Sequence, residues 1–220
     1  MQYIVYDMEF TVIRNRQQYT ADILEIGAIK LSDDSGQLEM VDLFHTHVRP
    51  TTHKVISPLT TEFTGITQEH ADKAPSFSEA ASDFQSWMGD DPYYLCSWGP
   101  DDKQQLIRHC KMHKFDLNWI QNYNDIQLAF TRLQGGEYHQ RWGLKKALVA
   151  KELPFIGNHH NALDDAFNTA KLFKLIFPHI RLEQNNAAAE PIFTTSLVYT
   201  TGHEKNNPFG QLAHLFQIAT

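Results

Sequence analysis

An α/β domain, a mixed sheet with flanking helices, is predicted by three observations. Three β-rich segments open the chain, separated by polar turns. After Arg49-Pro50 the apolar spacing becomes helical, and short apolar runs then alternate with amphipathic stretches. The length of 220 residues suits one well-buried α/β domain with an extension better than it suits two domains.

Residues 3 to 10, 23 to 31 and 40 to 48 carry the β-formers and predict an antiparallel meander. Ser76-Phe77-Ser78-Glu79 spells a capping box, and Ala80, Phe84, Trp87 and Met88 behind it share one helical face. Tyr93 to Trp98 reads as a short buried strand, followed by a helix from about Asp101 to Lys114. A second strand-to-helix step runs from Ile120 to Leu133. Gly143 to Ala150 reads as a helix, and His160 to Phe177 as a longer one. Past Pro178 the chain passes through Asn185-Asn186-Ala187-Ala188-Ala189 into a segment without a motif; residues 192 to 200 suit an added strand and Leu212 to Ile218 a short amphipathic piece. The expected division is a domain over 1–178 and an extension of unknown role over 179–220.

The 19 basic and 26 acidic residues give a formal charge of -7, the wrong sign for a surface that grips a nucleic-acid backbone throughout. Such a partner must be held locally. Bound divalent cations reverse the sign of a carboxylate-rich pocket, so an acidic chain does not exclude that partner. Only Cys96 and Cys110 are present, at no zinc-ligand spacing, which points to a reducing compartment. The chain opens directly on a strand, without a basic or apolar leader, and no apolar run approaches the ~20 residues that span a bilayer. The expectation is a soluble, cytoplasmic protein with no membrane partner.

Chemistry is concentrated in three places. Asp7 and Glu9 are two residues apart on a strand, so both project from one face. Tyr3-Ile4-Val5-Tyr6 before them is core-like, and an unpaired acid on a buried strand is costly unless a cation or partner relieves it. Two such carboxylates suit hard Mg²⁺ or Mn²⁺. At midchain, Asp102 shares a helical stripe with Leu106 and Cys110, whereas Asp101 aligns with Gln105 and Arg108. Asp102 is the inward acid, although a helix cap is a common role at that position. Late in the chain, Asp165 lies on the stripe of Ala162, Ala166, Thr169, Leu172 and Phe173, while Asp164 sits with Asn168 and Lys171. That register selects His160 and Asp165 over His159 and Asp164.

In this order, and with the flanks Tyr6-Asp7-Met8-Glu9-Phe10-Thr11, Leu24-Glu25-Ile26-Gly27-Ala28, Ser97-Trp98-Gly99-Pro100-Asp101-Asp102 and His160-Asn161-Ala162-Leu163-Asp164-Asp165-Ala166, the chain resembles the DEDDh branch of the DnaQ-like 3′-5′ exonucleases. The resemblance covers about residues 1 to 178 and is closest to the exoribonuclease-like KapD group, which is linked to sporulation control. It implies a ribonuclease-H-like fold. It also implies metal-dependent hydrolysis at single-stranded 3′ ends, releasing 5′-mononucleotides, with RNA favoured over DNA. Asp7, Glu9, Asp102 and Asp165 would hold two ions, ~3.5–4 Å apart in such sites. His160 would take the proton of the attacking water, a task suited to an imidazole of unperturbed pKa ~6.5. Phe10 and Thr11 stand where the resembling enzymes meet the terminal nucleotide, although Phe10 could equally be core. DNA trimming is the second expectation, and a regulatory binding module with an unknown protein partner the third.

Other features are weaker. Arg14, Arg16, Arg141, Lys145 and Lys146 flank the motifs as candidate phosphate contacts or ordinary solvated cations. Glu25 reads as solvent-facing, His109 and His113 as a surface pair, and His45 and His47 as neighbours on one strand face. Gly135-Gly136 has turn composition only.

Overall fold

The computed structural model describes residues 1–12 and 21–189, and Met1–Ala189 forms one compact unit. Strands β1 (Gln2–Phe10), β2 (Ile23–Ser32) and β3 (Glu39–His47) are the expected antiparallel meander. Two short helices follow, α1 (Pro58–Thr64) and α2 (Gln68–Lys73), then α3 (Phe77–Met88). Strand β4 (Tyr93–Ser97) precedes α4 (Asp101–Met112), and β5 (Tyr123–Asp125) runs directly into α5 (Ile126–Leu133). Helices α6 (Leu144–Ala150) and α7 (Ala162–Ile176) follow, and among the described residues the last element is a 3-10 turn over Phe177–His179. The five strands lie in the order β3-β2-β1-β4-β5, with β4 and β5 parallel to β1. This is the mixed sheet expected from the sequence, with helices on both faces.

Alternation along β1 distributes the two cores. Ile4, Tyr6 and Met8 enter one core with Phe77, Phe84 and Met88 of α3 and Leu106 and Cys110 of α4. Tyr3 and Val5 enter the other with Phe130 of α5, Leu148 of α6 and Ala166, Ala170, Leu172 and Phe173 of α7. Each fully buried large side chain contributes about 1.5–3 kcal/mol. Asp7 and Glu9 continue the Tyr3 and Val5 face beyond the end of that second core. The first acid pair is therefore directed towards α7.

Side-chain caps mark the starts of α1, α2, α3, α5 and α7. Ser76 Oγ accepts from Glu79 N while Glu79 Oε2 accepts from Ser76 N, as the capping box predicts. Helices α1 and α2 were not located from the sequence, because 7 and 6 residues are too short to display a period. Their signal is local: Ser57 caps a helix with Pro58 in its first turn, and Gly65 ends it in the left-handed region at φ 75°. Beyond the 3-10 turn, Asn185 and Ala187 hold the chain to the far edge of the sheet. Asn122 N donates to Asn185 O, and Ala187 N donates to Ile120 O. Arg14, Arg16, the 192–200 segment and Leu212–Ile218 lie outside the described residues.

Gly27 sets the distance between α7 and the sheet. A Cβ there would fall 2.2 Å from Leu163 N and 2.3 Å from the carbonyl carbon of Ala162, both backbone atoms. Ala162 and Ala166 supply the matching small surface on the helix. We therefore expect Gly27→Ala to destabilise the fold by about 1–3 kcal/mol or more by forcing the helix outward. Chemical denaturation measures the loss; an unchanged midpoint would show that α7 can shift without cost.

Candidate active site

The carboxyl ends of β1 and β4, the start of α4 and the start of α7 meet at one end of the sheet. Asp7 and Glu9 come from β1, and Asp165 from the first turn of α7. One carboxylate oxygen from each of these three residues lies within 4.8 Å of the others. Asp102 approaches from α4. The parallel β1–β4 ladder ends at Val5 and Cys96, so Met8 N extends past its partner strand, and Asp102 Oδ1 accepts from it at 3.1 Å. Asp102 is buried while Asp101 is exposed, as the stripe predicted.

Asp165 is likewise the inward acid of its pair. Asp164 instead accepts from Asn158 N at 2.7 Å and sits against Gly157. The histidines do not divide in the same way. His159 Nδ1 lies 2.9 Å from Asp165 Oδ1, and His160 N donates to Asp165 Oδ2 at 2.9 Å. The rings of His159 and His160 stack at 3.9 Å. Helical register cannot choose between them because both precede the cap residue Asn161, and His160 has a left-handed φ of 65°. The exclusion of His159 from this cluster is thus corrected. Across the His160 ring, Phe63 of α1 lies at 3.8 Å.

Packing these acids together raises their proton affinity. Asp7 is pushed well above the usual carboxylate range by burial and by Asp102, Asp165, Glu9 and Glu25. Burial with Asp165, Glu25 and Asp102 nearby lifts Glu9 to about 8, and burial raises Asp102 to about 7. His160 moves the other way, lowered by burial, His159 and Lys145. An all-oxygen donor set that resists ionisation unaided fits a hard divalent cation, which would replace the protons.

Several other expectations change. Glu25 is 1% exposed rather than solvent-facing. Its Oε2 accepts from Ala162 N at 2.9 Å and its Oε1 from Asn161 Nδ2 at 3.1 Å, placing negative charge at the start of α7. The cost argument applied to Glu9 was the signal: Glu25 too stands between apolar residues on a core strand. His109 is buried rather than on the surface, packed beside Phe77 with Nε2 on Ala21 O at 2.9 Å. Its neighbour His113 packs against the same Phe77 ring.

Thr11 Oγ1 accepts from Asp22 N at 2.9 Å, and Phe10 is half-buried against the α3-side core. Buried Asp22 also accepts from the backbone of Thr51, Thr52 and His53, tying that loop to the end of β1. Arg141 is engaged by Asp125 Oδ2 at 2.7 Å and Gln127 Oε1 at 2.9 Å, whereas Lys145 and Lys146 are exposed.

The mixed sheet and the acids gathered at its end fit an exonuclease family. The RNase T exonuclease family model matches residues 4–173, and the chain belongs to that family; its clustered acidic and histidine groups could hold a divalent ion. Among its relatives, ERI1 exoribonuclease 2 of Danio rerio is 31% identical over 195 residues, covering 77% of this chain and 34% of the relative. The chain thus spans about a third of that relative's length. The probable 3′-5′ exonuclease KapD of Bacillus subtilis is 27% identical over 176 residues, covering 79% of this chain and 83% of KapD. The fold matches the nuclease domain of 3′hExo, a DEDDh family member bound to rAMP, with a TM-score of 0.72 at 23% identity over 84% of this chain and 96% of that one. Among the described residues, no helix is long and apolar enough to cross a membrane.

The raised carboxylates make metal-free stability pH-dependent. Between about pH 4 and 8 the folded protein holds protons that the unfolded chain releases, so stability falls as pH rises through that window. Glu9→Gln should stabilise the metal-free protein at pH 8 by about 1 kcal/mol or more and have little effect at pH 4. Thermal melts with chelator at the two pH values check this; a variant less stable at pH 8 contradicts it.

Proposed function

We propose that this chain is a 3′-5′ exonuclease that hydrolyses phosphodiesters at single-stranded 3′ ends, favours RNA over DNA, and releases 5′-mononucleotides. The convergence of Asp7, Glu9 and Asp165 within 4.8 Å, with Asp102 fixed beside them, carries the reading. These four carboxylates would hold two Mg²⁺ or Mn²⁺ ions. When bound, such ions neutralise phosphate charge and stabilise the departing oxygen.

The protein's own groups position and exchange the proton. His160, depressed below its ordinary range, is neutral near pH 7 and accepts a proton from the attacking water. The water oxygen bonds to phosphorus as the bond to the 3′ oxygen breaks; that oxygen takes a proton from solvent, leaving a free 3′-hydroxyl and a 5′-mononucleotide. Phe10, half-exposed at the end of β1, offers a stacking face to the terminal base. The backbone beside Thr11, at the end of the same strand, would meet its sugar. Lys145 and Lys146 supply the local positive charge that the acidic surface lacks.

Exoribonuclease naming of the Danio relative and the rAMP bound to 3′hExo support RNA as substrate. We assign the catalytic domain to residues 1–178, and the extension from residue 179 begins with the stretch held along β5. The free, buried thiols of Cys96 and Cys110 support a reducing compartment, and with it the cytoplasm.

Matched single-stranded RNA and DNA oligomers, incubated with Mn²⁺ or with chelator, test the reading. We expect metal-dependent mononucleotide release, faster on RNA, and its abolition in Asp7→Ala and Asp165→Ala. Faster DNA release reverses the substrate preference, while full activity in either variant removes the carboxylate assignment. A second experiment isolates the proton acceptor. Under saturating metal, wild-type turnover should rise with pH through a step below 6.5 and then level. His160→Gln should lose that step and about 10²–10⁴-fold in turnover. Retention of both excludes His160 as the base.

A further inference from the structure

Beside the catalytic carboxylates, the outer strands of the sheet carry a second donor set that hydrolysis does not use. Glu25 on β2 stands directly opposite His47 on the edge strand β3, and Gly27 stands opposite His45. Alternation places all three side chains on the α7 face. His45 Nε2 lies 2.6 Å from Glu25 Oε1, and His47 Nε2 lies 3.8 Å from the same oxygen. One ligating atom from each residue lies within 4.8 Å of the others.

We propose that Glu25, His45 and His47 form an auxiliary site for a zinc-class divalent cation, separate from the catalytic carboxylates and independent of the exonuclease reading. Two imidazoles and a carboxylate suit borderline Zn²⁺ and disfavour hard Mg²⁺ or Ca²⁺. Ligand atoms about 2.0–2.1 Å from a tetrahedral ion stand about 3.3 Å apart, a spacing that the two observed separations bracket. Small side-chain rotations therefore complete the cage. The rings of His45 and His47 meet edge-on, at 74°, so they do not occlude one another.

Supporting contacts are built in. Glu25 is oriented by Ala162 N and Asn161 Nδ2, and His70 of α2 stacks on His47 at 4.8 Å. Glu9 lies opposite Glu25 across β1 and β2, and Asp164 also faces His45, so the local field favours a cation. The His45 and His47 side chains are 34% and 29% exposed, which leaves an entry path and room for a water ligand. A single histidine would satisfy a carboxylate already bonded to two α7 donors. The second Nε2 directed at the same oxygen is what an ion would use. Through Glu25, occupancy would also brace the helix that presents Asp165.

Zn²⁺ competition against a chromophoric chelator, on the full chain, tests the site. In Asp7→Asn/Asp165→Asn, which disarms the catalytic cluster, we expect one Zn²⁺ to remain bound. Adding His45→Gln or His47→Gln should weaken it by about 100-fold or more. Cobalt(II) provides a second probe on the otherwise unaltered protein. It should give the intense visible absorption of a four-coordinate ion, lost in His47→Gln. Absence of Zn²⁺ binding in the disarmed chain, or affinity and cobalt absorption indifferent to both histidine substitutions, overturns the proposal.

Discussion

The close approach of α7 to the sheet governs this molecule. Gly27 leaves no Cβ in the path of the Ala162–Leu163 backbone, and the small faces of Ala162 and Ala166 meet the sheet. Because the helix lies so near, Asp165 reaches the carboxylates of β1 and Ala162 N reaches Glu25. A thicker contact would separate those groups even if every element kept its place. The same helix buries Leu172 and Phe173 further along, so packing at one end fixes polar geometry at the other.

Such geometry opposes stability. Asp7, Glu9 and Asp102 are each driven towards the protonated state by burial and neighbouring charge. The protein tolerates this because each acid sits on an independently stabilised element: β1 between two cores, α4 through Leu106 and Cys110, and α7 through its apolar stripe. Glu25 adds another negative group, offset by the donors at the helix start. Stored repulsion thus becomes affinity for a small ion of high charge.

Much of this was legible in the chain. Period-two and period-3.6 patterns placed the strands and the long helices, and one-sided stripes correctly separated buried Asp102 and Asp165 from their neighbours. Failures fell where periodicity has no purchase. His159 and His160 precede their helix, α1 and α2 are too short to repeat, and His109 is packed against Phe77 of α3. Glu25 was a different failure. Its apolar flanks already implied burial, but its partners at the start of α7 lie 136 and 137 residues away, at separations that a local pattern does not encode.

The bond from Met8 N to Asp102 has a consequence for assembly. Beyond Val5, β1 has no β4 partner, and a slip of one residue there would exchange the acidic and core-facing side chains. Asp102 can engage this segment only when an amide is presented at the correct height, so its carboxylate acts as a gauge of strand register. Chains threaded one step out of phase would leave that buried acid unpaired while turning Asp7 and Glu9 into the opposite core. Correct alignment and chemical competence are therefore inspected by the same side chain, and a misaligned chain is penalised before it can present a defective site.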